Sequence, residues 1–224
     1  MKLFLDTANL DQIREACRWG IVDGATTNPT LVSKTGREPR ELYAEICRIV
    51  PGPVSLECIA LDAEGIVAEA RQLATIAENA VIKVPIMREG LIAVKRLAAE
   101  GIKTNVTVVH SPLQAMLAAK CGATYVSPFV GRLDSVGHVG MEMIRQIKVI
   151  FDNYDFDTQI LVASARHPLH VLESALAGAH VCTIPLEVME QLYHHPMTDV
   201  VMQQFLNDWA KVPKERCACQ GVPA

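Results

Sequence analysis

The sequence predicts a single-domain (β/α)8 barrel carrying one helix more than the barrel needs. Two observations carry that expectation. Strand and helix signals alternate eight times through residues 1–211, with no linker and no low-complexity stretch between them. Half of the 224 residues are hydrophobic and only 5% are aromatic, which gives an aliphatic core suited to strands buried on both faces. A doubly wound open sheet is the competing arrangement, but no GxGxxG or Walker-type turn follows any strand.

The elements follow in order. Residues 2–6 (KLFLD) read as the first strand, and Asn9 caps an amphipathic helix reaching position 19. The second strand spans 21–28, with a helix at 38–50 after it. The third covers 53–59, and Asp62 caps a helix running to about 77. The fourth is AVIKVP at 80–85, where Val81, Ile82 and Val84 favour the strand and Pro85 ends it. A helix at 89–100 is closed by Gly101, and the fifth strand runs 102–109. Ser111 and Pro112 open a helix that Gly122 ends. The sixth strand at 124–128 precedes a helix at 140–153, and the seventh at 159–164 precedes one at 168–177, stopped by Gly178. The eighth strand is 180–184. Helices at 186–193 and 198–211 complete the pattern, and 212–224 form a polar tail. The final helix sets Val200, Val201, Phe205 and Trp209 at helical spacing, so it packs either on its own barrel or on another subunit.

Composition narrows the function. A net charge of −4 with acids and bases interspersed leaves no footprint for nucleic acid or an anionic membrane. No apolar run reaches the length of a membrane span, and Asp6 interrupts the N-terminus before a signal-peptide core can form, so a cytoplasmic location is expected. The seven cysteines are odd in number and irregularly spaced, as reduced thiols would be; only Cys217 and Cys219 form a close pair, without a second pair to make a metal site.

The chemistry centres on Lys83, the one charge inside the AVIKVP strand. A buried ammonium is costly, so this side chain is paired, neutral, or placed at the rim of a site. Burial favours the neutral amine, the form an imine-forming nucleophile needs. A lone strand-end lysine more often snorkels to water, and its company overturns that reading here. Barrel enzymes place their chemistry at the carboxyl ends of strands. There the chain offers Asp6; Thr26 and Asn28; Glu57; Lys83; Asn105 and Thr107; Ser127 and Phe129; and Ser164 and Arg166, with Arg132 just past the sixth strand. So many polar ends converging on one mouth point to a site. A lysine, two carboxylates that can move protons, and two arginines suited to a phosphate together suggest carbon–carbon chemistry on a ketose phosphate.

At these residues the chain resembles the transaldolase family, in particular the small bacterial type that also includes fructose-6-phosphate aldolase. The matching motifs are LDTANLD (5–11), DGATTNPTLV (23–32), DAEG (62–65), VIKVP (81–85), NVTVVHSPLQA (105–115), YVSPFVGRLD (125–134) and VASARHP (162–168). The resemblance implies that Lys83 is the Schiff-base lysine and Asp6 the acid/base acting on the C4 hydroxyl. It implies that Glu57 and Thr107 hold a catalytic water, and that Asn28, Asn105 and Ser127 face the dihydroxyacetone part, with Thr26 and Phe129 also among the substrate-binding residues. Arg132, Ser164 and Arg166 are then the phosphate site. It further implies sugar-phosphate substrates, no metal or organic cofactor, and a homo-oligomer, a decamer of two pentamers with the last helix lying on a neighbour.

Two positions bear on the branch within the family. Fructose-6-phosphate aldolase is expected to carry glutamine where this chain has Glu57 and tyrosine where it has Phe129. Both residues here are of the transaldolase kind, and a phenylalanine cannot deliver the proton that releases free dihydroxyacetone. The expectation is therefore a transaldolase, with an aldolase of the same fold or a non-catalytic sugar-phosphate binder as alternatives. His110 stands where phenylalanine is usual and is expected to support the site rather than act in it. His167 and His170 are expected to be helix-start residues rather than metal ligands.

Overall fold

Short aliphatic runs, each followed by a helix long enough to bring the chain back, leave parallel pairing as the only way to join successive strands. The computed structural model describes residues 1–212, and in it eight parallel strands close into a barrel in chain order. The strands are β1 (Lys2–Asp6), β2 (Gly24–Thr26), β3 (Val54–Glu57), β4 (Ala80–Pro85), β5 (Thr104–Val109), β6 (Tyr125–Pro128), β7 (Gln159–Val162) and β8 (Val181–Ile184). β1 closes the ring against β8, from Lys2 opposite Val181 to Leu5 opposite Ile184.

The helices around this ring are α1 (Leu10–Arg18), α2 (Pro29–Ser33), α3 (Pro39–Ile49), α4 (Ala63–Ala74), α5 (Arg88–Ala99), α6 (Pro112–Lys120), α7 (Val130–Asp134), α8 (Gly140–Asn153), α9 (Pro168–Leu176), α10 (Leu186–Tyr193) and α11 (Pro196–Trp209). Asn9, Asp62 and Ser111 cap their helices through side-chain oxygens, as their positions before periodic runs predict. Gly101 closes α5 in the left-handed region at φ 74°, where any side chain would be strained.

Three differences from the sequence reading concern the barrel's upper rim. β2 ends at Thr26 rather than 28, because Asn28 instead accepts from the Leu31 N–H at 3.0 Å and opens α2, with Pro29 at its first position. β7 ends at Val162, since Ser164 turns into the left-handed region at φ 58°. β3 is likewise shorter, ending at Glu57. The five-residue helices α2 and α7 were not expected; they are too short to show a hydrophobic period.

Strand pairing sorts the side chains into two cores. Outward residues such as Leu5, Leu56, Ile82, Val84, Val126, Ile160 and Ile184 pack under the helices as one continuous core. Inside the barrel, Phe4, Val81, Tyr125, Leu161 and Val181 form a separate apolar floor, with Phe4 and Tyr125 edge to face at a 6.3 Å centroid distance. The opposing position on β2 is Gly24, across from Phe4. A Cβ there would come within 2.6 Å of both the Phe4 ring and the Pro53 carbonyl oxygen.

α11 stands apart from both cores. None of its residues is buried, and Phe205 and Trp209 remain 60% and 57% exposed. It begins at Pro196 and ends at Trp209, two residues earlier at each end than expected. Of the two placements open from the sequence, packing on its own barrel is not the one observed.

Gly24→Ala forces the Phe4 ring or the β2–β3 backbone to move. We expect a loss of about 1–3 kcal/mol, read as a lower midpoint in urea unfolding, as for other overpacked cores.

Candidate active site

Above the apolar floor the barrel turns polar. Asn105 donates through Nδ2 to Ser55 Oγ at 3.0 Å and accepts through Oδ1 from Ser127 Oγ at 2.7 Å, so three strands are tied through buried side chains. Across the barrel the hydroxyls of Thr26 and Thr183 lie 2.7 Å apart, and Thr26 donates to Asp6 Oδ1 at 2.7 Å. These bonds satisfy groups that would otherwise be buried without partners.

Lys83 sits in this layer. Its side chain is 6% exposed, its Nζ donates to the Thr27 carbonyl at 3.0 Å, and Glu57 Oε2 lies 3.1 Å away. Register explains the pair, since Glu57 is opposite Lys83 in the β3–β4 ladder and both face inward. The lysine does not snorkel. The contact is an ion pair rather than a directed hydrogen bond, and Glu57 Oε2 makes none elsewhere. The Thr107 hydroxyl, also buried, has no hydrogen-bond partner among the described residues.

Asp6 faces the same space. Burial pushes its carboxyl above the ordinary range, while the Lys83 charge and the Thr26 hydroxyl pull it back without cancelling the rise. Asp6, Thr26, Asn28, Lys83, Ser127 and Phe129 line a cavity of about 170 Å³ together with Arg132, Ser164 and Arg166. Arg132 is presented by α7, and Arg166 by the loop between β7 and α9. Their segments touch: a Cβ at Gly131 would lie 2.3 Å from the Ser164 carbonyl and 2.9 Å from Arg166 Nε.

Nine of the twelve expected site residues therefore share one cavity. Asn105 lies beneath it, holding Ser127. Glu57 stands behind Lys83 and opens on a different groove with Tyr43, Ile59 and Glu69. Thr107 is sealed in the wall. Thr183, Ser55 and the Thr27 carbonyl belong to the site but were not anticipated. Inward alternation from Val181 would have found Thr183, whereas Thr27 acts through its backbone, which no side-chain pattern reveals.

His110 lies beside the cavity rather than in it. Its ring meets Phe129 edge to face at 5.7 Å, and its Nδ1 donates to the Val108 carbonyl at 2.8 Å. The bond crosses an irregularity in β5, where the pairing register shifts between Val106 and Val109 and Val108 adopts φ 62°. The five cysteines of the described residues are unpaired, and burial pushes the Cys58 and Cys182 thiols up to about 12 and Cys47 to about 11. Cys217 and Cys219 lie outside the described residues.

A parallel barrel whose strand ends gather a buried amine, two carboxylates and two arginines around a small cavity defines a small-molecule enzyme. A family model described as Transaldolase/Fructose-6-phosphate aldolase matches residues 3–218, and the chain belongs to that family. It is 61% identical over 215 residues to a protein named Probable transaldolase from Aquifex aeolicus, covering 96% of this chain and 99% of that one. It is 59% identical over 213 residues to a Probable transaldolase from Coprothermobacter proteolyticus, covering 95% and 98%. Among solved structures, thiamine phosphate pyrophosphorylase from Pyrococcus furiosus shares the fold, with a TM-score of 0.59 at 14% identity over 85% of this chain and 93% of that one.

The Asp6 environment gives a signed prediction. A carboxyl raised on folding disfavours the folded state once pH exceeds its unfolded value, and the penalty grows until the folded group also ionises. Asp6→Asn removes that penalty. We expect a higher Tm than the parent at pH 7, a difference that closes toward pH 3, and kcat lower by about 10²–10⁴. Calorimetry across pH with steady-state assays reads both.

Proposed function

We propose that the protein is a transaldolase. It takes a dihydroxyacetone unit from sedoheptulose 7-phosphate or fructose 6-phosphate and passes it to glyceraldehyde 3-phosphate or erythrose 4-phosphate, a step of the pentose phosphate pathway. The observation that carries the reading is Lys83: a buried amine, 3.1 Å from Glu57, on the wall of a cavity shared with Asp6.

The steps follow from those neighbours. Lys83 hands a proton to the Glu57 carboxylate, the amine so freed attacks the ketone carbon C2, and that proton returns to the departing hydroxyl, so that water leaves and a protonated imine remains. Glu57 and Thr107 serve the water that enters and leaves; their buried oxygens keep hydrogen-bonding capacity unused within the protein. Asp6 then takes the proton of the C4 hydroxyl as the C3–C4 bond breaks, the aldehyde departs, and the electron pair moves into the iminium, leaving an enamine. The enamine attacks the acceptor aldehyde, Asp6 returns the proton, and hydrolysis frees Lys83. The iminium itself is the electron sink, so no metal or organic cofactor enters. Arg132, Ser164 and Arg166 bind the phosphate through forked and hydroxyl donors, and Thr26, Asn28, Asn105 and Ser127 position the dihydroxyacetone part directly or through one another.

Transfer, rather than release, rests on Phe129. Among the described residues no tyrosine lines the cavity, so the enamine has no phenol there to protonate it. We further propose a cytoplasmic homo-oligomer, a decamer of two pentamers by family resemblance. The bare apolar face of α11 supports a neighbouring subunit as its cover.

Fructose 6-phosphate alone is expected to yield about one glyceraldehyde 3-phosphate per site and then stall, and erythrose 4-phosphate should restart turnover. Borohydride added during the stall should label Lys83 and no other lysine, and Lys83→Arg should be folded and inactive. Steady release of free dihydroxyacetone at the rate of transfer would make the enzyme an aldolase instead. Arg166→Ala should raise KM for phosphorylated donors by roughly ten- to a hundredfold with a smaller fall in kcat.

A further inference from the structure

Below the two arginines lies a second polar cluster, to which the reaction steps assign nothing. His170, on α9, is buried, and both of its ring nitrogens are engaged. Its Nδ1 lies 3.1 Å from the Arg166 backbone N–H, and its Nε2 lies 2.7 Å from Asp134 Oδ2. The second oxygen of Asp134 accepts from the Gly140 N–H at 2.8 Å. A backbone N–H only donates, so Nδ1 must be bare; an ionised carboxylate only accepts, so Nε2 carries the proton. One tautomer alone fits. Burial by itself would raise the Asp134 carboxyl, but the Gly140 N–H and His170 hold it below its usual value, which keeps it the acceptor this tautomer needs.

Asp134 is the last residue of α7, the five-residue helix that carries Arg132. His170 therefore joins the segment bearing Arg132 to the residue Arg166 itself. The two segments already touch at Gly131, so a small shift in one is felt by the other. We propose that Asp134 and His170 form a strut setting the spacing of Arg132 and Arg166, and that His170 is a positioning residue for the phosphate which works only while its Nδ1 is unprotonated. This rests on the sugar-phosphate reading above.

Protonation of His170 would put an Nδ1–H against the Arg166 N–H, two donors facing one another, and the strut would open at that joint. The charged groups around the ring are Asp134 from α7, Arg166 from the loop, His167 and Glu173 from α9, and Arg145 of α8, which pairs with Glu173 at 2.8 Å. His167 stacks on His170 at 3.7 Å between ring centroids. Burial lowers the His170 value below that of a free histidine and His167 adds to this, while Asp134 and Glu173 oppose it. The strut is thus intact at neutral pH and is lost as pH falls through the lowered folded value.

The test compares His170→Leu, which removes the acceptor, with His170→Asn, whose amide oxygen reaches the position of Nδ1 but does not titrate. At pH 8, His170→Leu should raise KM for fructose 6-phosphate about tenfold, with kcat within about twofold and kinetics on unphosphorylated fructose unchanged; His170→Asn, which keeps an acceptor for the Arg166 N–H but no donor to Asp134, should recover part of the loss and not all of it. The substrate phosphate also titrates near pH 6, so the pH profile is read as a difference. As pH falls from 7 through the lowered folded value of His170, KM of the parent should rise several-fold more than KM of His170→Asn. Equal profiles, or a His170→Leu defect equal on fructose and fructose 6-phosphate, overturn the strut. Where Arg166→Ala raises KM and the His170 variants do not, the strut alone fails; where Arg166→Ala also leaves KM unchanged, the phosphate reading fails and the strut falls with it.

Discussion

A lysine amine inside the wall of a barrel is the constraint to which the rest of this molecule answers. Taking an ammonium out of water is costly unless a counter-charge and hydrogen bonds replace the solvent, and here Glu57 and the Thr27 carbonyl do so. Those partners hold only if β2, β3 and β4 keep one register, since a slip of a single residue would turn Glu57 and Lys83 to opposite faces. The apolar floor beneath keeps water from entering below, and the Ser55–Asn105–Ser127 chain stiffens the strands on the far side. Asp6 completes the balance, buried enough for its carboxyl to be raised and close enough to Lys83 for that charge to offset part of the rise.

Much of this was legible in the sequence because strands impose a strict alternation. Once AVIKVP is a strand with Lys83 inward, Glu57, Asn105 and Ser127 follow by counting twos along their neighbours, and the barrel follows from the eightfold repetition. The strand ends were less legible. Asn28 and Ser164 look like continuations of β2 and β7, but one is taken by a helix cap and the other by a left-handed turn, and neither event leaves a period to read. α2 and α7 were hidden for the same reason. His170 showed only as one of two histidines near a helix start; its partner Asp134 is 36 residues away, a pairing visible only in three dimensions.

The site thus divides between two kinds of support. Lys83, Glu57 and Asp6 stand on strands, whose ladders fix them from both sides. Arg132 and Arg166 stand on a short helix and a loop, which have no ladder and depend on side-chain bonds for their placement. On the function proposed above, that division suits a catalyst whose reacting carbon must be held closely while the chain length of its substrate varies.

Val108 carries a consequence of its own. A β-branched residue in the left-handed region costs of order 1–3 kcal/mol, and here it is also half exposed to solvent. The irregularity it creates turns the end of β5 so that Val109 returns to the helix-side core and the Val108 carbonyl meets His110 beside Phe129. Anyone seeking a hardier enzyme would be drawn to glycine at this position, which relieves the strain at once. The same change would loosen the turn that holds His110 against Phe129, so, on the transaldolase reading proposed above, thermal robustness gained there would come at the expense of transfer over release.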